Sequence, residues 1–297
     1  MVMNKISRRW LLGLLLAAWP LWLARPALAV DWRDQLTAGG TAQIIAVIDG
    51  DTVQLADGRQ VRLIGIQAPK LPLGRPDFTP WPLADAAQAA LAALARSQAV
   101  TLWYGETRQD RHGRVLAHLA RAADGLWLQQ AMLRQGMARV YSFADNRALV
   151  PTLLAAETQA RAQRRGIWRE PFYQVRTPNM LEADPDRFAG SFQIVRGRVL
   201  DTGAARTRLY VNFGGRWRTD FTVEVPAAVQ RRFAGDSRLS PSRLAGAWVE
   251  VRGWIERRNG PMIEISHPEQ IVFLEIATSE GHDEDAISPE SRGGSMP

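Results

Sequence analysis

The sequence predicts an α+β chain that is mainly β: an N-terminal five-stranded barrel carrying three helices, followed by a second small β-barrel. Three observations carry this prediction. Residues 42–49, 52–56 and 59–66 are short Val-, Ile- and Leu-rich runs separated by Asp49-Gly50 and Asp57-Gly58, which are hairpin signals. The connections between these runs are too short for the crossovers that a parallel sheet requires. A second β-rich region starts near residue 191, beyond a segment interrupted by Pro171, Pro178 and Pro185.

Residues 1–29 stand outside both barrels. Lys5, Arg8 and Arg9 precede an apolar run from Trp10 to Leu23, and Ala27-Leu28-Ala29 offers small residues for cleavage. The run is short for a membrane span, so the segment reads as an export signal and predicts a periplasmic or secreted protein. Ser7-Arg8-Arg9-Trp10-Leu11-Leu12 also fits a twin-arginine signal.

The first barrel is expected over residues 30–170. After its three opening strands come a proline-rich loop, Pro72 to Pro82, and a helix from Leu83 to Arg96 that is mostly alanine and leucine on one face. Strands follow at 99–104 and 114–121, then a helix from Leu126 to Gln135 stopped by Gly136 and one from Ala148 to Arg165 stopped by Gly166. Three strands, a helix, two strands and two helices is the order of an oligonucleotide-binding (OB) barrel.

Residues 171–190 read as a linker or loosely packed bridge. Strands at 192–201, 207–213, 218–225, 247–258 and 262–266, with turns at Gly214-Gly215 and Asn259-Gly260 and a helix near 227–234, predict a second, OB-like barrel over 191–276. Residues 277–297 carry five acidic residues against Arg292 and read as a disordered acidic tail.

The net charge of +7 over 297 residues is unevenly distributed. The signal and the acidic tail offset one another, which leaves the folded part basic and suits an anionic partner. The absence of cysteine excludes disulfides and thiol chemistry. Arginine supplies all but two of the basic residues, Lys5 and Lys70. Arginine is the better bidentate phosphate ligand, although genome composition explains the bias equally well.

Asp49 and Asp51 flank a glycine on the first turn, and Arg62 lies alone within the apolar strand Val61-Arg62-Leu63-Ile64. Buried arginine is costly unless an anion meets it, and paired aspartates on a tight turn suit a hard divalent cation. The combination outlines a phosphate-ester site. The plain alternatives are an Asp-Gly turn formed for backbone reasons and an ordinary salt bridge for the arginine.

Four motifs match in order those of the staphylococcal nuclease-like (thermonuclease) family, which the chain resembles over residues 40–170. They are Val47-Ile48-Asp49-Gly50-Asp51-Thr52, Val61-Arg62-Leu63-Ile64-Gly65-Ile66, Asp110-Arg111-His112-Gly113-Arg114 and Gly166-Ile167-Trp168. The resemblance implies hydrolysis of DNA or RNA phosphodiesters with calcium. It also implies roles: Asp51 as a metal aspartate, Asp49 as its neighbour, and Arg62 and Arg114 as the arginines that stabilise the transition state. Arg111 and His112, in the third motif, are candidate nucleic-acid contacts, with His112 reading as a residue of a solvated turn beside the pocket rather than as a base.

The departures fall on the chemistry. Gln67 stands at the family's second metal aspartate and Lys70 at its catalytic glutamate. An amide brings one carbonyl oxygen and no charge, and an ammonium beside Asp51 opposes a dication, so calcium binding should weaken. Loss of a general base costs about 10² to 10⁴ in rate. Asp77 or Asp85 is the alternative source of a displaced base. A second reading treats Arg62, Lys70 and Arg114 as three cations meeting a phosphate without metal, in a protein that binds nucleic acid or a protein partner but does not cleave.

Tyr210, Phe213, Trp217 and Phe221, interleaved with Arg208, Arg216 and Arg218, read either as a stacking platform for single strands or as alternating core. Trp248 and Trp254 are assigned to the second core. His118 and His267 read as isolated strand residues without ligand spacing.

Overall fold

The computed structural model describes residues 31–274. The predicted export signal and acidic tail lie outside the described residues. Strands β1 (Thr37–Asp49), β2 (Thr52–Leu55), β3 (Gln60–Leu63) and the short β4 (Ile66–Gln67) lead into helix α1 (Ala84–Ala95). Then come β5 (Ala99–Tyr104), β6 (Val115–Arg121), α2 (Leu128–Arg134), the short β7 (Arg139–Val140) and α3 (Val150–Ala162). The sheet closes in the order β1-β2-β3-β6-β5, with β3 and β6 parallel and Val61 opposite Val115.

The interior follows from period-two alternation. Val53, Leu55, Val61, Leu63, Val100, Leu102, Ala117 and Leu119 are buried inside the barrel, and Ala87, Leu91 and Met132 from α1 and α2 close it. β1 begins at Thr37, ahead of the predicted residue 42, because Thr37 pairs with Tyr104 and Ala38 with Trp103. Ala38-Gly39-Gly40 lacks any local strand preference and is held there by the ladder.

The predicted loose linker is folded. It contains α4 (Pro178–Ala183) and α5 (Pro185–Phe188), and Leu181 and Phe188 join the second core. Pro178 and Pro185 each open a helix, where the missing N–H would have had no intrahelical partner.

The second unit contains β8 (Phe192–Arg198), β9 (Asp201–Ala205), β10 (Arg208–Asn212), β11 (Thr222–Val225), α6 (Ala227–Arg232), α7 (Pro241–Leu244), β12 (Trp248–Arg257), β13 (Pro261–Glu264) and β14 (Ile271–Phe273). β9 pairs β10, β10 pairs β11, β11 runs parallel to β13, β13 pairs β12, and β12 pairs β8. β8 and β9 are one stretch of chain broken at Val199-Leu200, so the circuit returns to its start. This is the strand order of the first barrel, including its parallel pair. β14 adds to the side of β12.

Alternation on β12 decides two assignments. Val249, Val251 and Ile255 face the second core, so Trp248 and Trp254 point outward and are 39% and 44% exposed, not core residues as the sequence suggested. The same outward face carries Glu250 and Arg252 into the junction with the first barrel. Arg252 donates to Glu157 of α3 at 3.0 and 3.2 Å and to Glu250 at 3.0 Å, and Arg161 of α3 donates to Glu250 at 2.7 and 2.8 Å. Arg252 and Glu157 are almost wholly buried. His267 lies in this junction at the start of a 3-10 turn rather than on a strand, 2.8 Å from Ser142 Oγ. The two barrels are joined by buried charge pairs, which fix relative orientation because any slippage leaves a charge uncompensated.

Candidate active site

The turn between β1 and β2 carries the site. Asp49 Oδ1 accepts from the Asp51 N–H at 3.0 Å, closing the turn on itself. Gly50 packs hard against neighbouring elements: a Cβ there would lie 2.6 Å from Ala68 Cβ and 2.8 Å from Ala87 Cβ. Gln88 of α1 donates to the carbonyls of Val47 and Ile48 at 3.2 and 3.0 Å. The helix therefore clamps the turn and aims both aspartates inward.

Asp51 is fully buried and Asp49 nearly so. Asp51 Oδ2 accepts from the Ala68 N–H at 2.8 Å. Lys70 Nζ donates to both Asp51 oxygens at 2.7 Å and to Asp49 Oδ2 at 3.1 Å. Arg62 Nη2 lies 3.3 Å from Asp51 Oδ2. Arg62 also donates to backbone, Nη1 to the Leu63 carbonyl at 2.7 Å and Nη2 to the Ile66 carbonyl at 2.6 Å. Two carboxylates thus meet one ammonium and one guanidinium, and the cluster is formally neutral.

The electrostatics agree. Burial pushes the Asp51 carboxyl upward, but Arg62, Lys70 and the Ala68 N–H outweigh it and hold the group well below the usual carboxylate range. Asp49 is shifted the other way, by burial and then by the charge of Asp51, with Lys70 offsetting part of the rise. Asp49 is the member that accepts a proton first.

Gln67 does not face the aspartates as a ligand. Its Oε1 accepts from Arg139 Nε at 3.0 Å and Nη2 at 2.7 Å, and Arg139 Nη1 donates to the Phe192 carbonyl of the second barrel at 3.2 Å. Arg139 is buried, which lowers its pKa to about 10. Sequence reasoning passed over Arg139. Its signal was the one that marked Arg62, a lone arginine in an apolar stretch, here Met137-Ala138-Arg139-Val140.

Arg114 immediately precedes β6, two positions before Leu116, the register partner of Arg62. Its guanidinium is 2.7 Å from Asp110 Oδ2, and Asp110 Oδ1 also accepts from the N–H groups of His112 and Arg114. Asp110 to Arg114 is a self-closed turn in which His112 and Arg111 are exposed and their side chains meet, Arg111 Nε donating to His112 Nε2 at 3.1 Å. Among the described residues Arg114 makes no ion pair with the Asp49–Asp51 cluster. Tyr210 and Trp217 lie apart from it, on the second barrel, where Phe213 and Phe221 pack into the core and leave the predicted platform with half its aromatics.

Calcium takes six to eight oxygen ligands. The ammonium of Lys70 is within hydrogen-bonding distance of both carboxylates, and the one amide oxygen nearby is taken by Arg139. Among the described residues no three His, Cys, Asp or Glu side chains are grouped so that they could hold a metal. The donor set present does not fit a dication.

Comparison with known proteins accords with the fold. The family described as staphylococcal nuclease homologue matches residues 60–170. An uncharacterized endonuclease of Escherichia coli is 31% identical over 131 residues, which is 43% of this chain and 76% of that protein. Protein ParB of Escherichia coli is 32% identical over 139 residues, 43% of this chain and 72% of that protein. A rice protein (Oryza sativa subsp. japonica) named "Probable staphylococcal-like nuclease CAN1" is 29% identical over 143 residues, 46% of this chain and 39% of that protein. With motifs, barrel closure and sequence similarity in agreement, the chain belongs to the staphylococcal nuclease homologue family.

Proposed function

We propose that this chain is an exported, nucleic-acid-binding member of the nuclease family in which Lys70 has taken the place of the divalent cation and calcium-dependent cleavage has been lost. One observation carries the reading: Lys70 Nζ bridges both oxygens of Asp51 and one of Asp49 at 2.7 to 3.1 Å. A neutral cluster has no charge deficit for a dication to fill, and no carboxylate stands at position 70 to activate water. Nucleic acid is favoured as the ligand by the basic folded part and by the family. The basic start, apolar run and Ala27-Leu28-Ala29 support export.

The competing reading is slow calcium-dependent hydrolysis, favoured by the retention of Asp51, Arg62 and Arg114 and by relatives named as nucleases. Incubation with single-stranded DNA in calcium, then in chelator, separates the two. No cleavage in either, salt-sensitive binding in both, and no thermal shift with calcium are expected. Calcium-dependent cleavage that disappears in Arg62→Ala would overturn the proposal, whereas cleavage that survives that substitution would be a contaminant.

A further inference from the structure

The outer face of the second barrel carries a cleft of about 410 Å³ that the first site does not use. Its lining follows from alternation. Leu209, Val211, Val223, Val225 and Ile263 face the core, so Arg208, Tyr210 and Asn212 of β10 and Thr222 and Glu224 of β11 share the opposite face. Register aligns Gly203, Tyr210 and Glu224 across three neighbouring strands. Gly203 leaves the floor open beside Tyr210: a Cβ there would meet nothing closer than Asn212 Nδ2 at 3.9 Å.

Glu224 is 1% exposed, yet its Oε1 has no hydrogen-bond donor. Arg208 Nη1 is 2.8 Å from that oxygen but off the hydrogen-bonding direction, and Arg258 Nη2 is 3.4 Å from Oε2. A buried acceptor neutralised but not hydrogen-bonded calls for an N–H donor. At the rim Trp217 is 57% exposed with the Arg218 guanidinium 4.9 Å from its ring centroid. Arg218 has no carboxylate partner among the described residues, and Arg216 is largely exposed.

We propose that this cleft binds an unpaired nucleobase of a single-stranded nucleic acid, with Tyr210 and Trp217 supplying stacking surface, Glu224 Oε1 accepting from an exocyclic amino group, and Arg216 and Arg218 meeting the phosphates. A flat aromatic ligand carrying N–H donors and joined to anions fits each of these features. A duplex does not, because its base faces are covered. The inference rests on nucleic acid as the ligand of this chain but moves the base contact to the second barrel.

The test is fluorescence anisotropy with labelled dC and dT decamers on the full chain, in chelator at low salt. The comparison uses wild type, Tyr210→Ala, the cleft-filling Gly203→Val, and Arg62→Ala in the first barrel. Binding of dC is expected to weaken about tenfold in each cleft variant, the scale of one lost stacked base. dT, which lacks an exocyclic amine, should bind more weakly than dC. Wild-type affinity in both cleft variants, with loss in Arg62→Ala, would overturn the cleft while leaving nucleic-acid binding in place. Absence of binding by the wild type would remove both. Equal affinity for dC and dT would overturn the contact assigned to Glu224. Thermal unfolding of Tyr210→Ala and Gly203→Val, each tested separately, guards against a misfolded variant being read as a loss.

Discussion

Replacing Lys70 with methionine removes the ammonium while keeping a chain of similar length, and the geometry fixes what should follow. The Nζ lies 2.7 Å from Asp51 and 3.1 Å from Asp49. At an effective dielectric constant near 20, each contact is worth about 5–6 kcal/mol before desolvation is subtracted. Breaking a buried pair by removing one partner costs about 3–5 kcal/mol. Lys70 keeps 20% exposure, so we expect about 2–4 kcal/mol at pH 7.

The pH dependence has a definite sign. Asp51 has a depressed folded pKa, so its stabilisation is complete above the unfolded carboxylate value of about 3.9 and is lost as pH falls below it. Asp49 is raised, and without Lys70 it rises further, so in the variant the folded state takes up a proton sooner than the unfolded state. The destabilisation should therefore be largest at neutral pH and shrink as pH falls through the raised Asp49 value. Urea unfolding of both proteins at pH 7.5, 6 and 5 measures it. The variant should also gain a calcium-dependent rise in Tm absent from the wild type, since a ligand that binds only the folded form stabilises it by mass action. A change below about 0.5 kcal/mol at pH 7.5, the scale of an ordinary surface substitution, would show that Lys70 is not neutralising the aspartates.

Gln67→Asp alone should produce no calcium-dependent stabilisation, because the new carboxylate would pair with Arg139 while Lys70 still holds the turn; a calcium-induced rise in Tm in that variant would contradict this. Arg252→Met should cost about 3–5 kcal/mol by leaving Glu157 buried without its closest cation, read as a lower urea midpoint. His118 and His267 are held neutral by burial, with pKa values lowered to about 3 and about 4. Their unfolded forms protonate near 6.5, so stability should decline as pH falls from 7 toward 5, and His118→Leu should flatten that decline.

The strands were legible locally because alternation and Asp-Gly or Asn-Gly turns are short-range signals, and 52–56, 99–104 and 114–121 emerged close to their observed bounds. What failed was whatever depended on partners. Ala38-Gly39-Gly40 became strand only through pairing with β5, and Pro178 and Pro185 looked like linker signals yet start helices.

The sequence by itself determined the two-barrel organisation, the motif set and the two departures at Gln67 and Lys70, since each rests on residue type and order. Only the tertiary structure decided what the departures mean. Lys70 folds back 19 and 21 positions onto Asp51 and Asp49, Gln67 is turned away by Arg139, and β12 directs Trp254 outward and Arg252 onto Glu157. A period of two says that a strand has two faces but not which one meets the core. The strength of an ion pair depends on distance and burial through space, and those exist only once the chain has folded.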